Sequence, residues 1–280
     1  MTMEQLTDWM KLWKDLSGMQ NKAFARKKEG RGEDFWKHKA KDFDKMVDER
    51  WAKPDSSRDF LIQKLLDNPG SSLLDIGAGT GKWSLLAAPY ASRVTAFEPS
   101  PAMQEVLKEK IQKQRIINVD IVTGNWPEDD AEPHDYVLAS HSMYGVGDFK
   151  AFVEKMSAVA SKACIMLLRA PYAGAVMAVA AKKVLGQPYD SPNFQIAYNA
   201  LLGMDIYPDV VMEADGTWPG WASNSFEEAL DEIKNRLGLA DNDGYDAFLT
   251  ELLEKNLTLE KGKYVWPAGN RSALVYWEVQ

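Results

Sequence analysis

The spacing of apolar residues changes character along the chain. Leu6, Trp9, Met10 and Trp13 recur at helical intervals. Residues 1–68 read as helical, with a break near Gly30–Arg31–Gly32. From Ser72 onward short apolar runs take over: Ser72–Ile76, Arg93–Phe97, Asn118–Val122, Asp135–Ala139 and Ala163–Arg169. Helical stretches lie between most of them. One runs from Lys82 to Ala88. A second opens at Ser100–Pro101, an N-cap with proline at the first helical position, and extends to about Gln114. A third is capped by Asp148 and ends near Ser161. Strands alternating with helices at this spacing predict a parallel sheet covered on both faces.

Beyond residue 171 the pattern is less regular. Helices are expected over Ala173–Leu185 and from Ser191–Pro192 to Leu202. Ser225 and Glu228 have capping-box spacing and open a helix that ends near Gly238. Asp246–Asn256 is a further helix; Ile206–Glu213 and Ala273–Val279 read as strands. There is no internal repeat and no obvious linker. The expected organisation is a helical cap over 1–68, then one domain over 69–280 with helical insertions at about 174–202 and 214–265.

Composition narrows the function classes. Hydrophobic residues make up 45% and charged residues 26% of the 280, as in ordinary globular proteins. No apolar stretch reaches membrane-span length. Glu4, Asp8 and Asp15 interrupt the first segment, so it does not read as a secretory signal, and a cytoplasmic home is expected. Cys164 is the single cysteine, which excludes an intrachain disulfide and a multi-thiolate zinc site. Net charge is −8, and residues 205–260 hold 3 Lys/Arg against 14 Asp/Glu. Polynucleotides are bound mainly by cationic surface, so no nucleic-acid partner is expected.

The sharpest local feature is Leu73-Leu74-Asp75-Ile76-Gly77-Ala78-Gly79-Thr80-Gly81, a strand running into three alternate glycines and then a helix. Glycine suits a tight turn that ligand atoms must approach closely. A dinucleotide fingerprint would need glycine where Lys82 stands. A P-loop would need glycine at Ile76 and a hydroxyl residue at Trp83. The spacing, with Asp75 two residues before Gly77, resembles motif I of the class I S-adenosylmethionine methyltransferases. The resemblance extends over roughly residues 35–170. In that family an acid at the end of the second strand binds the ribose hydroxyls, which implies that role for Glu98. A residue after the third strand stands near the adenine, which implies Asn125 in Gly124-Asn125-Trp126-Pro127, with Trp126 on the adenine face. Trp36-Lys37-His38-Lys39-Ala40-Lys41-Asp42-Phe43 resembles the cap that covers the cofactor in small-molecule members, making Trp36 and Lys39 candidates. Asp75, Gly77, Gly79 and Gly81 complete the implied cofactor set.

The resemblance also implies the fold: a Rossmann-like, seven-stranded, mostly parallel α/β sheet flanked by helices. Residues near 206–213 and 273–279 would form its antiparallel pair, with the insertion before the last strand. Ser140-His141-Ser142-Met143-Tyr144-Gly145 leaves the fourth strand, where open α/β sheets place ligands. Ser140 is a candidate contact to the methionine part of the cofactor. His141 and Tyr144 are candidates for the catalytic step, with a hydrogen-bonded structural histidine as the competing reading. Arg169, which can grip a carboxylate with two donors, and Tyr189 and Tyr198 are candidate acceptor contacts. Trp218-Pro219-Gly220-Trp221 reads as packing. No metal is expected, because methyl transfer needs none and no ligand-spaced cluster compels one.

The expected activity is methyl transfer from S-adenosylmethionine, leaving S-adenosylhomocysteine, to a small-molecule acceptor by in-line displacement. A nicotinamide oxidoreductase and a non-catalytic cofactor-binding module are the alternatives. The choice among oxygen, nitrogen, sulfur and carbon acceptors, and the oligomeric state, stay open at this level.

Overall fold

The computed structural model describes residues 7–28, 36–37, 39–213, 220–269 and 271–279. Leu6, the break at Gly30–Gly32, His38, and Trp218 with Pro219 lie outside the described residues.

Three helices precede the sheet: α1 (Trp9–Lys28), α2 (Ala40–Trp51) and α3 (Ser56–Asp67). The central elements follow as β1 (Ser72–Ile76), α4 (Lys82–Ala87), β2 (Arg93–Phe97), α5 (Pro101–Gln114), β3 (Val119–Val122), β4 (His134–Ser140), α6 (Phe149–Val159) and β5 (Ala160–Ala170). The caps read from sequence form as expected: Ser100 Oγ accepts from Met103 N–H, and Asp148 Oδ1 from Ala151 N–H. Next come α7 (Val176–Leu185), α8 (Phe194–Leu202), β6 (Asp209–Met212), β7 (Ala222–Ser223), α9 (Phe226–Arg236), α10 (Asp246–Asn256), β8 (Thr258–Glu260), β9 (Lys263–Val265) and β10 (Arg271–Glu278).

The main sheet has seven strands in the order β3-β2-β1-β4-β5-β10-β6. The pairs from β3 through β5 are parallel, and β10 runs antiparallel to both β5 and β6. This is the expected Rossmann-like arrangement. Strand alternation divides the core into two layers. Leu74, Ile76, Val137, Ala139, Cys164, Met166, Val275 and Trp277 point to one face, which α6, α8 and α1 cover. Leu73, Tyr136, Leu138, Ile165, Leu167 and Leu274 point to the other, under α3, α4 and α5. Because both faces are buried, the strands read as continuous apolar runs. Trp13 seals α1 to the first face. Its ring centroid lies 4.3 Å from that of Phe149, and its Nε1 donates to Val146 O at 2.8 Å.

Two expectations change. The segment 214–265 was expected to be helical, yet β7, β9 and β8 form a second, antiparallel three-stranded sheet within it. Strands of two or three residues are too short to carry a readable period; their one signal is the Lys261–Gly262 turn, both residues at positive φ. α8 is capped by Asn193, whose side chain accepts from Gln195 and Ile196 N–H, and not by Ser191. The insertion helices have their own core around Ala180, Ile233, Leu249, Leu253 and Trp266.

Candidate active site

The order of the sheet reverses between β1 and β4, and open α/β sheets bind ligands at the carboxyl end of that junction. The glycine loop stands there. Gly77, Gly79 and Gly81 have φ of +67°, +57° and +81°, a region that favours glycine. They serve different purposes. A Cβ on Gly77 would come 2.4 Å from Ser142 Cβ, and one on Gly81 would come 2.1 Å from Leu107 Cδ1. These two are required by packing. A Cβ on Gly79 would meet nothing within 4 Å. Its backbone faces open space, the property of a surface that receives a ligand.

The loop is tied to the end of β2. Gly77 N–H donates to Phe97 O at 2.7 Å, and Gly79 N–H to Glu98 Oε2 at 2.8 Å. Glu98 Oε1 accepts from Ser100 N–H at 2.8 Å. These two bonds fix the buried Glu98 carboxylate, an acceptor-only group, beside the loop. Asp75 has a different place. It is shut away beneath the loop, where its Oδ2 accepts from Ser84 Oγ at 2.6 Å. Burial, reinforced by Glu98 against the Ser84 hydrogen bonds, pushes its carboxyl up to about 7. Asp75 therefore shapes the loop by holding the first turn of α4.

A cleft of about 430 Å³ opens beside the loop, lined by Gly77, Phe97, Pro99, Asn125, Trp126 and Ser142 among others. That volume is in the range of small-molecule and cofactor sites. Asn125 is exposed at its rim. The buried Trp126 ring sits edge-on to Phe97 and Phe152, 5.8 and 6.2 Å away between centroids. Trp36 is half-buried, packing on Phe43 at 5.0 Å and on the cluster of Ala40, Met103 and Val106 near the start of α5. Lys39 is exposed at the start of α2.

The rest of α2 bridges two parts of the site. Asp44 Oδ1 accepts from Thr80 Oγ1 at 2.6 Å and is paired with Lys110, whose Nζ also donates to Thr80 O. Asp48 is paired with Lys82. Burial works against the Asp44 carboxylate, but the bonds from Lys110 and Thr80 outweigh it and hold its pKa below the usual range. In the last turn of α2, Arg50 Nη2 donates to Ser272 Oγ at 3.0 Å and lies 3.4 Å from His141 Nε2. The sequence reading missed Asp44, Asp48 and Arg50. Their only signal was an acidic pair at (i, i+4) followed by a basic residue on one helix.

His141, Tyr144 and Arg169 come together. His141 Nδ1 is 2.7 Å from Tyr144 Oη, which accepts from Arg169 N–H at 2.7 Å. The Arg169 guanidinium carbon lies 4.2 Å from the centre of the Tyr144 ring. His141 Nε2 faces both Arg50 Nη2 and Ser272 Oγ, each 3.4 Å away. Burial, with Arg50 and Arg169 adding repulsion, holds His141 well below the usual histidine range. Its backbone is left-handed at φ +56°. Ser140 ends β4 beside Leu167 and is half-buried. Tyr189 packs against Trp9, and Tyr198 against Phe194; neither lines the cleft or the cavity near Arg169. Tyr189 joins the core layer under α1, and Tyr198 pairs with a neighbour on its own helix.

Residues 38–197 match the model of a family described as a methyltransferase domain. The chain belongs to that family. Comparison of this methyltransferase with curated sequences finds an uncharacterized protein of Haemophilus influenzae, 25% identical over 242 residues, 84% of this chain and 86% of that protein. A cobalt-precorrin-6B C(15)-methyltransferase (decarboxylating) of Salmonella typhimurium is 39% identical over 72 residues, 25% of this chain and 38% of that one. Among solved structures, magnesium protoporphyrin IX methyltransferase from Synechocystis with bound SAH superposes with a TM-score of 0.54 at 12% identity, covering 88% of this chain and 97% of that one. The YcgJ protein of Bacillus subtilis gives 0.51 at 15% identity, covering 80% and 98%. At these identities the structural likeness establishes the fold alone. Among the described residues no helix is long and apolar enough to cross a membrane.

Proposed function

We propose that this methyltransferase takes its methyl group from S-adenosylmethionine and transfers it to a small-molecule acceptor by in-line displacement. The observation that carries this reading is the pairing of Gly79 with Glu98. A backbone bare enough to be approached stands beside a buried carboxylate, a group to which hydroxyls donate. A nucleoside offers just such ribose hydroxyl donors, so the residues present fit the cofactor. When bound, the cofactor supplies a methyl group activated by a sulfonium centre.

This chain's own residues supply position. Glu98 would hold the ribose, with Gly77, Gly79 and Gly81 shaping the bed beneath it. Asn125 and Trp126 would bound the adenine end of the cleft, and Ser140 the methionine end. Trp36 and Lys39 would close the site from α2, which Asp44 and Asp48 fasten to Thr80 and Lys82. In a displacement of this kind, holding the reacting atoms close and aligned accounts for much of the acceleration. A neutral His141 imidazole can take a proton from an acceptor that must lose one. Tyr144 holds the ring through Nδ1. The half-enclosed cleft and the acidic 205–260 segment favour a small acceptor over a polynucleotide.

The test is transfer of isotopically labelled methyl from S-adenosylmethionine into a cell extract that is then separated by size. Label is expected in the small-molecule fraction. Label confined to RNA or protein would overturn the acceptor class.

A further inference from the structure

Arg169 is the last residue but one of β5 and is half-buried. Two of its donors, Nε and Nη2, are buried and meet no hydrogen-bond acceptor among the described residues. Those two atoms form one edge of the guanidinium plane, with their N–H bonds aimed the same way. Guanidinium is always charged and only donates, so a buried edge without an acceptor is costly. The edge matches two coplanar oxygens set side by side. Tyr144, stacked at 4.2 Å, fixes the plane of the guanidinium.

The nearby carboxylates are committed elsewhere. Asp190 is paired with Arg236. Glu213 accepts from Ser56 N–H at 2.8 Å and from Ser56 Oγ at 2.5 Å. Asp55 accepts from Ser57 N–H at the start of α3. Arg169 also lines a narrow cavity of about 40 Å³ with Tyr172, Ser191 and Asn193. On the far side of His141, Arg50 adds a second positive charge.

We propose that the methyl acceptor is a small carboxylic acid and that its carboxylate pairs with the Nε–Nη2 edge of Arg169. The inference rests on the methyl-transfer reading above and names its substrate class. Tyr144, which stacks on Arg169 and bonds His141 Nδ1, links this edge to His141. From there β4 leads through Ser142, whose side chain touches the Gly77 loop. A phosphate fits less well: it is bulkier, tetrahedral and asks for donors on more than one edge.

Ligand-observed NMR on the full chain saturated with S-adenosylhomocysteine tests this with matched probes: acetate against acetamide, and benzoate against benzamide. The acids are expected to bind and the amides to bind at least about tenfold more weakly. Arg169→Met should weaken acid binding by a similar factor, and Arg169→Lys should recover only part of it, since an ammonium lacks the paired edge. Titration of S-adenosylhomocysteine into Arg169→Met should give an affinity within about threefold of wild type. Equal binding of acids and amides to the wild-type protein would overturn the proposal, and that comparison needs no variant to fold. So would acid binding that survives both substitutions. A collapse of S-adenosylhomocysteine affinity in folded Arg169→Met would also overturn it, by assigning Arg169 to the carboxylate of the cofactor. If wild type binds the acids but not S-adenosylhomocysteine, the methyl-transfer reading fails while the anion site stands.

Discussion

Gly79 and Gly81 are two residues apart, share a left-handed backbone, and should respond oppositely to alanine. In Gly81→Ala the new Cβ would lie 2.1 Å from Leu107 Cδ1, and Leu107 is fully buried. Overpacking a core costs about 1–3 kcal/mol. Left-handed backbone at a residue with a Cβ adds about 1–2 kcal/mol, and the stiffer unfolded chain returns about 0.4–1 kcal/mol. The net loss is about 2–4 kcal/mol, or a melting temperature lower by roughly 5–15 °C for a chain of this size. Gly79→Ala meets nothing within 4 Å, so only the backbone cost applies, about 1 kcal/mol and a few degrees. Its methyl group, however, stands in the open space where the cofactor is proposed to approach. Affinity for S-adenosylhomocysteine should fall by more than about tenfold, a loss above ~1.4 kcal/mol. Thermal unfolding and calorimetric titration of both variants measure the two effects. A Gly79→Ala protein that binds as tightly as wild type would refute the role given to that backbone. A Gly81→Ala protein that melts like wild type would refute the packing argument.

Three further outcomes are expected. Glu98→Gln leaves one oxygen where two now accept from Gly79 and Ser100, and removes the charge. S-adenosylhomocysteine affinity should fall about tenfold or more by titration, and an unchanged affinity would remove Glu98 from the site. His141→Ala should slow transfer while leaving cofactor affinity nearly intact. Because His141 is held neutral, wild-type turnover should show no loss at the ordinary histidine midpoint near about 6.5. Full activity in the variant would make His141 structural, and a loss of turnover at the ordinary histidine midpoint would contradict the burial that holds it neutral. Burial pushes the Asp75 carboxyl from an ordinary 3.8 up to about 7, so the folded chain binds more protons between those values. Its contribution to stability is present below the lower value and declines as pH rises to the upper one. Asp75→Asn removes that slope, and denaturant melts should show the variant gaining on wild type between pH 5 and pH 8. A constant difference would contradict the burial argument.

The parts of the fold that could be read beforehand are those with local causes. β1 to β5 announced themselves as apolar runs, and Ser100, Asp148 and Ser225 as caps, because strand burial and capping act over a few residues. The glycine loop and Glu98 were legible for the same reason: a tight turn at a strand end constrains its own sequence. What escaped depends on how elements dock. The contact of Arg50 with Ser272 joins residues 222 positions apart, and that of Asp44 with Thr80 joins residues 36 apart. Nothing local in α2 says which end of the sheet it will cover. Tyr189 and Tyr198 read as acceptor contacts from their aromatic character, while the structure sets Tyr189 against Trp9 of α1 and Tyr198 against Phe194 of α8. His141, Tyr144 and Arg169 were each visible as strand-end residues; that they form one network follows from the parallel register of β4 and β5.

The central claim is that the glycine loop and Glu98 hold S-adenosylmethionine, and the most direct measurement is calorimetric titration of the folded protein with S-adenosylhomocysteine, with a reduced nicotinamide as control. The account predicts micromolar-scale binding of the former, on the order of −8 kcal/mol, and none of the latter. A folded protein that gives no binding heat with S-adenosylhomocysteine, or that binds the nicotinamide instead, would contradict it.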